Sequence, residues 1–502
     1  MAVAASEQAG AHRLTLTRWA VLYGIAAAAG IVLRIWWFRS NLSIPNSDES
    51  VVGLMVLHAE HGDVSGFFWG SPYSGPQEVL ASVPFFVLFG ANYYALRVVP
   101  ILLTAVTSLV IWRAGKRTIG EPAAGVAAAL FWVWPPFNLF QLTQHQSFYA
   151  ANVFYCALVI LLALRTVEEP SRARVGLFGL VIGLAFWQTP QIVPIAVPAA
   201  LWVAVRERRT LRHWWVAALA ALAGASPWII WNARHGFASL GIHSSLANYK
   251  HSLRLLANPV GPMTVGLRAP FGQQPLIPPT VVTYAIYAAL IVLFFVGAWR
   301  SRRRDVSLLY VVLALFPFLY AIDRRTSFLS SWPQYTVVVT PVVTLLLAQV
   351  ASTYRRAVAV LAVGCAITVV SMPRMIDWFK LLQPVPRAPR DMAPLIDTLD
   401  RQHLDRVFAD YWIAYRLAFA TKERIVAVEN AFSGGEFHGA TVQLPRDPNV
   451  RYRPYERKVE ASPRQGFVFF ERTYRSLPLV PLLESHGWKR TTIGPFVVFA
   501  PP

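Results

Sequence analysis

The stretch WAVLYGIAAAAGIVLRIWWF, residues 19–38, decides the fold. With a single arginine in it, the stretch is about as long as the roughly 20 residues that an α-helix needs to cross about 30 Å of hydrocarbon. No small-residue cleavage site follows it. We therefore interpret it as a retained first membrane span and not as a removed signal peptide.

The rest of the chain repeats this pattern. Of its 502 residues, 55% are hydrophobic and only 14% are charged, which is too apolar for an ordinary soluble protein. Runs this long and uniformly apolar exclude barrel strands and leave helices as the spanning structure. The sequence predicts a multispan α-helical membrane protein with about eleven spans. The further runs lie at about 93–112, 121–139, 148–164, 174–188, 190–205, 213–231, 281–299, 307–322, 334–351 and 356–372.

The net charge of +20 raises the possibility of a nucleic-acid partner, but the positions of the basic residues argue against it. Every second connection between predicted spans is short and basic, as the positive-inside rule requires of cytoplasmic loops. We therefore expect a multi-pass protein of the cell membrane, with its N-terminus cytoplasmic, its C-terminus outside and no nucleic-acid partner. The basic clusters lie at 13–18, 113–117, 165–174, 206–212, 300–304 and 355–356.

This orientation places three larger segments on the outer face: the loop at about 39–92, the loop at about 233–280, and everything after about 373. We predict a membrane catalytic module over 1–372 and a soluble extracytoplasmic α/β or α+β domain over 373–502. Strands are predicted in that domain at 406–410, 424–428 and 466–470, and helices at 391–403 and 411–420.

The first outer loop opens with IPNSDES, residues 44–50, which contains two adjacent carboxylates. Asn46 lies three residues before Glu49, the spacing of a capping box, and acids in a first helical turn are favoured by the helix dipole. The cap accounts for Glu49 but does not require Asp48. Asp48 is therefore the stronger of the two catalytic candidates.

The same loop continues FWGSPYSGPQEVL, residues 68–80, in which Tyr73, Gly75 and Pro76 indicate a turn. Glu78 follows the turn and is a third candidate catalytic carboxylate. It lies near a predicted helix start, which is the alternative explanation for it. The pattern leaves open whether Asp48, Glu49 and Glu78 share one cleft or are solvated separately.

Together with the first span, the Asp-Glu pair and Tyr-x-Gly-Pro, three motifs complete a recognisable order. They are LFGANYYALRVVP (88–100), GASPWIIWN (224–232) and QYTVVVTPVVTLLLA (334–348). In this order and topology the chain, over about residues 15–350, resembles the GT-C superfamily of integral membrane glycosyltransferases. Within it, the chain is similar to the branch of protein O-mannosyltransferases and the aminoarabinose transferase of lipid A.

The resemblance implies that a sugar moves from a polyprenyl-phosphate carrier to a hydroxyl of a glycan, lipid or protein acceptor on the outer face. The first-loop aspartate of the family matches Asp48, which would be the general base. Because a phosphate leaves without a proton, one carboxylate that deprotonates the acceptor is sufficient. Attack opposite the carrier inverts the anomeric centre.

The leaving phosphate requires cations on the outer face. Arg324 and Arg325 are candidates because they lie between spans nine and ten, although Asp323 offers them a pairing partner. Lys250 and Arg254 in the loop 233–280 are competing candidates, as are His251 and Arg268 in the same loop. The chain departs from the commoner family pattern, because Pro333 and Gln334 stand where a basic residue precedes the tyrosine that corresponds to Tyr335.

The segment NLFQLTQHQSFYAANVFY, residues 138–155, lies at the outer end of the third and fourth spans. In relatives this loop lines the active site, so Gln144 and His145 are candidate substrate-binding residues, together with Tyr73. The alternative is a belt of polar and aromatic side chains at the membrane interface. The same holds for Gln188 and Gln191 at the next outward turn.

Two other functions remain open: a multispan transporter or lipid flippase, and a non-catalytic membrane scaffold. A transporter normally carries ionisable residues in the middle of its spans, whereas most charges here lie at span ends. Cys156 and Cys365 fall within predicted spans, so we interpret both as small buried apolar residues. We expect no metal cofactor.

Overall fold

The chain forms two compact units. The computed structural model describes residues 2–240, 248–268, 275, 280–302, 304–322, 334–381, 388–438 and 441–502. The helical unit consists of Met1–Leu42, Pro100–Thr143 and Phe148–Phe379, and the mixed unit of Ser43–Val99, Gln144–Ser147 and Lys380–Pro502. Compactness thus groups the first predicted outer loop with the C-terminal region, and the functional division at residue 373 stays a prediction.

Helical segments lie at every apolar run that the sequence predicts as a span. The α-helices are Ala2–Arg39, Tyr93–Thr118 (in this unit from Pro100 on), Glu121–Val133, Pro136–Gln141, Tyr149–Glu168, Arg172–Gln188, Val193–Arg206, Trp214–Gly224, Ser226–Arg234, Tyr249–Leu255, Gly261–Thr264, Thr280–Ser301, Ser307–Tyr320, Thr340–Ala348 and Tyr354–Leu381. Shorter 3₁₀ and π turns are Pro190–Ile192, Arg208–His213, Leu256–Val260 and Gln334–Val339.

Five of these helices are long and apolar enough to cross a membrane, which supports a multispan membrane protein. They are Thr17–Arg39, Tyr93–Thr118, Tyr149–Glu168, Thr280–Ser301 and Tyr354–Ile376. A sixth candidate, Arg208–Gly224 with Ser226–Arg234, is bent by 57°. Within the described residues the other apolar helices are shorter, so the count of eleven spans stays a prediction.

A glycine seam brings two helices of this unit into close contact. An added Cβ at Gly179 would lie 2.2 Å from the carbonyl oxygen of Ala217, and one at Gly183 would lie 2.1 Å from that of Ala221. Two glycines four residues apart let helix backbones approach closely in a membrane, where packing replaces the hydrophobic effect as the driving force. The seam joins Arg172–Gln188 to Trp214–Gly224. Cys156 is buried as expected, whereas Cys365 is only partly buried, and both are free thiols in helices.

The mixed unit contains a five-stranded sheet. Its strands are β1 (Arg406–Ala409), β2 (Val426–Glu429), β5 (Gly466–Phe470), β6 (Lys489–Ile493) and β7 (Phe496–Ala500), in the order β2-β1-β5-β7-β6. The pairs of β1 with β2 and with β5 are parallel, and the pairs of β7 with β5 and with β6 are antiparallel. A separate antiparallel pair consists of β3 (Glu436–His438) and β4 (Thr441–Gln443). The three strands predicted from the sequence are confirmed as β1, β2 and β5.

Helices surround the sheet. Two of them, Ala393–Arg401 and Tyr411–Ala420, are those predicted, and the sequence interpretation missed Arg453–Glu460 and Leu479–Ser485. A further helix, Gln77–Phe89, begins next to Glu78, where the sequence predicts a helix start. This helix and Ser47–Glu60 lie within the predicted first outer loop. A 3₁₀ turn at Tyr474–Ser476 completes the region, and another at Asn41–Ser43 precedes the first of the helices.

The helix Ser47–Glu60 belongs to the same hydrophobic core as the sheet. Val51, Leu54 and Met55 on this helix are buried in one cluster with residues of β1, β5 and β7. An added Cβ at Gly53 would lie 2.6 Å from the ring of Phe419, so the helix packs closely on Tyr411–Ala420. This packing fixes the first turn of the helix, which carries Asp48 and Glu49.

Candidate active site

The adjacent carboxylates Asp48 and Glu49 begin the helix Ser47–Glu60. The side-chain oxygen of Asn46 accepts a hydrogen bond from the main-chain nitrogen of Glu49 at 2.9 Å. The N-cap predicted from the Asn46 spacing is therefore confirmed. Neighbouring residues on a helix point about 100° apart, and the two carboxylates accordingly have different partners.

Glu49 is fully buried in an ion pair. Its carboxylate accepts hydrogen bonds from Nε of Arg97 at 2.7 Å and from Nη2 of Arg97 at 2.6 Å. The main-chain nitrogen of His145 donates to the same carboxylate at 3.1 Å. The sequence interpretation explained Glu49 by the cap alone. The structure shows that its side chain is also a buried structural anion, paired with Arg97.

Asp48 is partly accessible and contacts two residues of the C-terminal region. The hydroxyl of Tyr411 donates a hydrogen bond to Oδ1 of Asp48, and Nη2 of Arg451 donates to the same oxygen at 3.3 Å. Burial and the nearby charge of Asp48 raise the pKa of Tyr411 well above its usual value, so the phenol stays protonated and able to donate. The side chain of Asp48 is 36% exposed.

Arg451 is held in place from several sides. Its Nη1 donates to Oγ of Ser71 at 2.7 Å, and its main-chain nitrogen donates to Oε1 of Glu429 at 2.7 Å. The guanidinium lies 5.5 Å from the ring centroid of Phe68. Ser71 and Phe68 belong to the sequence motif at 68–80, so that motif shapes the surroundings of Arg451.

Glu78 and His145 form a second, buried group. Oε2 of Glu78 lies 3.9 Å from Nδ1 of His145, and Nε2 of His145 lies 3.0 Å from Oγ of Ser82. Burial lowers the pKa of His145 to about 4, so the imidazole is neutral at physiological pH. His145 thus meets the side chain of Glu78 and, through its main chain, that of Glu49.

The three candidate carboxylates are therefore not solvated alike. Glu78 is only 2% exposed and Glu49 is not exposed at all. Within the part of the chain that the structure describes, these two approach His145, whereas the described contacts of Asp48 are with Tyr411 and Arg451. Only Asp48 combines a place in the first helical turn with access to solvent.

The remaining substrate-binding candidates are placed as follows. Gln144 is buried and accepts a hydrogen bond from the side-chain amide of Gln146, and Tyr73 is half-buried. Gln188 and Gln191 are buried in the helical unit. Gln144, His145, Gln188 and Gln191 are all buried, and the alternative of a polar belt at the membrane interface stays a prediction. The substrate-binding roles of Tyr73, Gln144 and His145 stay predictions.

The predicted donor-phosphate ligands are not settled by the structure. Arg324 and Arg325 lie outside the described residues. Lys250 and Arg254 are exposed on the helix Tyr249–Leu255 of the helical unit, next to the exposed His251. Arg268 donates to the side-chain oxygen of Asn258 at 3.2 Å. The phosphate role of all these residues stays a prediction.

The sequence interpretation missed Arg97, Tyr411 and Arg451. Arg97 lies within the motif at 88–100 and the other two lie outside every quoted motif, but each meets its carboxylate only through the fold. In the described ranges, no group of three or more His, Cys, Asp or Glu side chains is arranged to hold a metal ion. The expectation of a metal-independent protein stays a prediction.

Comparison with known proteins identifies a related fold. Residues 83–231 match the family model of dolichyl-phosphate-mannose-protein mannosyltransferase. None of the curated proteins matches the chain by sequence.

Two crystal structures of ArnT from Cupriavidus metallidurans resemble the whole chain. The undecaprenyl-phosphate-bound structure has a TM-score of 0.57 at 16% identity, covering 96% of this chain and 98% of ArnT. The apo structure has a TM-score of 0.58 at 15% identity, covering 97% and 98%. At this identity the likeness establishes the fold. Together with the family match, it confirms the resemblance to the GT-C glycosyltransferases.

Proposed function

We propose that this protein transfers a sugar from a polyprenyl-phosphate carrier to an acceptor hydroxyl on the outer face of the membrane. Support comes from the fold, which is shared with an ArnT that binds undecaprenyl phosphate, and from the family model, which is named for a dolichyl-phosphate-linked donor. Undecaprenyl phosphate and dolichyl phosphate are both polyprenyl phosphates. We therefore propose a polyprenyl-phosphate-linked sugar as the donor.

The observation that carries the proposal is the different burial of the two adjacent carboxylates. Glu49 is enclosed and neutralised by Arg97, whereas the carboxylate of Asp48 is 36% exposed at the start of the same helix. A general base must come within hydrogen-bond distance of the proton that it removes. Asp48 is therefore the residue that acts as base on the acceptor hydroxyl.

One base is sufficient for this reaction. The acceptor oxygen forms a bond to the anomeric carbon while the bond from that carbon to the phosphate oxygen breaks, and the bonding electrons leave with the phosphate. The proton of the acceptor passes to Asp48. Attack from the side opposite the carrier inverts the anomeric centre, and the cations of the donor site, for which Arg324, Arg325, Lys250 and Arg254 are our candidates, stabilise the departing phosphate.

The topology that accompanies this proposal follows from the loop charges. Eleven spans with a cytoplasmic N-terminus place the first loop and the C-terminal region on the outer face. Lipid-linked donors, membrane lipids and envelope acceptors meet there. We propose that the reaction needs no divalent metal, so that activity survives chelation; activity lost on chelation and restored by an added cation would contradict this.

The test uses the full chain in lipid nanodiscs with a panel of undecaprenyl-phosphate-linked hexoses and pentoses. A bacterial envelope extract supplies acceptors, and mass spectrometry measures the release of undecaprenyl phosphate. Loss of a general base costs about 10²- to 10⁴-fold in rate, so we expect Asp48→Asn to lose at least about 100-fold. The control is Glu60→Gln, which removes a carboxylate from the other end of the same helix.

Two outcomes would contradict the proposal. If Asp48→Asn released the carrier as fast as the unchanged protein, Asp48 would not be the base. If the protein moved labelled carrier between leaflets of a vesicle without releasing sugar from any donor, the transporter or flippase alternative would replace the transferase.

A further inference from the structure

Both contacts of Asp48 reach the same oxygen atom. The hydroxyl of Tyr411 and Nη2 of Arg451 both donate to Oδ1. Among the described residues, no donor bonds to Oδ2, although the side chain is 36% exposed. One carboxylate oxygen is thus held by the protein and the other is available to a ligand.

From this geometry we infer that Tyr411 and Arg451 are positioning residues that hold Oδ1 of Asp48 and so present Oδ2 to the acceptor hydroxyl. The inference rests on the proposed function, because it assigns the orientation of the same base. Neither residue was a candidate from the sequence, and both belong to the C-terminal region. This region then acts on the reaction through Asp48.

The positions of the two donors are themselves fixed by the fold. Tyr411 is the first residue of the helix Tyr411–Ala420, and Asp410 caps that helix by accepting from the main-chain nitrogen of Trp412 at 2.9 Å. The main-chain carbonyl of Tyr411 also accepts a hydrogen bond from the hydroxyl of Ser47, the residue before Asp48. The phenol and the carboxylate are thus tied together through both main chain and side chain.

Arg451 is fixed on the opposite side by the loop at 68–76. Besides the bond from Nη1 to Ser71, its Cδ and Cα lie where a side chain at Gly70 would stand, 2.8 Å and 3.0 Å from an added Cβ. Gly70 has a φ of +69°. A glycine is therefore required at this position both by the backbone conformation and by the approach of the arginine.

The stability of the protein gives little reason for this arrangement. Ion pairs with this much exposure contribute little to stability, because water and salt screen them. The same contacts act instead on the orientation of the Asp48 carboxylate, because two fixed donors on one oxygen restrict the rotation of the group.

In the reaction, Oδ2 receives the proton of the acceptor while Oδ1 keeps its bonds to Tyr411 and Arg451. The new bond joins the acceptor oxygen to the anomeric carbon, and the electron pair of the broken bond leaves with the phosphate. A base fixed within a fraction of an ångström gains from orientation, since misplacement by about 1 Å can cost about 100-fold. Tyr411 and Arg451 touch neither substrate in this scheme.

The experiment measures the carboxylate directly and needs no knowledge of the sugar. The full chain in detergent is treated with dicyclohexylcarbodiimide, which reacts with protonated carboxyl groups, over a range of pH. Peptide mass spectrometry then quantifies the adduct at Asp48. In Tyr411→Phe and in Arg451→Gln, we expect more adduct at Asp48 than in the unchanged protein at the same pH, because each variant removes a donor that occupies Oδ1.

Matched controls remove the same chemical groups without touching Asp48. Tyr452→Phe loses a hydroxyl on the neighbour of Arg451, and Arg453→Gln loses a guanidinium that bonds instead to Glu456 and to the carbonyl of Asp447. Neither control should move the labelling profile. Arg451→Lys keeps the positive charge, so its labelling profile should lie between those of Arg451→Gln and the unchanged protein. If Arg451→Gln does not fold, Tyr411→Phe still tests the inference.

The inference is wrong if the labelling profile at Asp48 is the same in Tyr411→Phe, Arg451→Gln and the unchanged protein. The carrier-release assay separates this from the proposed function. Release that depends on Asp48, with an unchanged labelling profile and an unchanged kcat in Tyr411→Phe, would remove the positioning role and leave the transferase. A changed labelling profile in Tyr411→Phe without carrier release from any donor would keep the contacts to Asp48 and remove the transferase.

Discussion

Arg97 and Glu49 form a two-point ion pair that is almost wholly withdrawn from solvent, with side chains 3% and 0% exposed. Arg97 also donates to the carbonyl oxygen of Ser43 at 3.0 Å, just before the helix that carries Asp48. The pair thus connects the start of that helix to the helix Tyr93–Thr118. Because this pair encloses Glu49, Asp48 is the one carboxylate of the first helical turn that solvent reaches.

Breaking this pair on one side should be strongly destabilising. Arg97→Leu leaves the carboxylate of Glu49 buried without its cation, and removing one partner of a buried pair costs about 3–5 kcal/mol. The double variant Arg97→Leu with Glu49→Leu removes both charges and should recover most of the loss. Thermal unfolding in detergent measures both. Equal melting temperatures for the single and double variants would contradict the interpretation.

His58 and its two carboxylate partners predict how the stability of the protein depends on pH. Nδ1 of His58 lies 2.9 Å from Asp63 and Nε2 lies 2.8 Å from Glu423. Hydrogen bonding to Glu423 raises the pKa of His58 above its usual 6.5, and the bond to Asp63 adds to this. Burial alone raises the pKa of Glu423, but its bonds to His58 and Tyr455 outweigh it and leave that pKa below 4.5.

Because the folded form of His58 binds its proton more tightly, this stabilisation is fully present below about pH 6.5 and is lost as the pH rises through the raised pKa. For Glu423 it is present above about pH 4.5 and is lost as the pH falls. We expect His58→Gln to lower stability at pH 6 by roughly 1–2 kcal/mol and to abolish the decline on the alkaline side. Melting curves from pH 5 to 9 measure this; an unchanged alkaline slope would refute it.

His145 predicts a loss of folding stability as the pH falls, opposite to the effect of His58. Its pKa is lowered to about 4 by burial, so the unfolded chain binds the proton more tightly than the folded one. Stability should therefore fall by about 3 kcal/mol as the pH decreases from about 6.5 to 4. His145→Gln should remove this acid-side slope, while His438→Gln, at an exposed position, should keep it. The same slope in all three proteins would show that His145 does not titrate as described.

Hydrophobicity predicted many elements of the fold, although the buried apolar strand β7, FVVFA, was not among the predicted strands. The helices Tyr149–Glu168 and Thr280–Ser301 follow uniformly apolar runs, and β5 is a continuous apolar strand, typical of a buried one. A helix start was predicted near Glu78, but no span was predicted at Gln77–Phe89 because the apolar run is short and contains Pro84. Strand β6, KRTTI, was missed because a polar edge strand has no hydrophobic alternation to detect.

The site was predicted only as far as neighbouring residues determine it. The cap at Asn46 and the candidacy of Asp48 follow from positions within one helical turn. The partners of Glu49 and Asp48 lie 48 and 403 residues away in the chain, at Arg97 and Arg451. No periodicity links such distant residues, so the separate roles of the two carboxylates became visible only in the folded chain.

Two glycines offer the last test, because they share a backbone conformation but differ in their surroundings. Gly70 and Gly62 have φ values of +69° and +83°, which strain any other residue by about 1–3 kcal/mol. An added Cβ at Gly70 would meet Arg451 at 2.8 Å, whereas nothing lies within 4 Å of one at Gly62. Gly70→Ala should therefore displace Arg451 from Asp48 as well as strain the loop.

We expect both alanine variants to lower the melting temperature, with the larger decrease for Gly70→Ala. Only Gly70→Ala should also increase the carbodiimide adduct at Asp48, because only this change moves a donor away from the carboxylate. If Gly62→Ala shifted the labelling equally, the effect would come from general loosening of the unit. An unshifted profile in Gly70→Ala would mean that Arg451 keeps its bond to Asp48 despite the added methyl group.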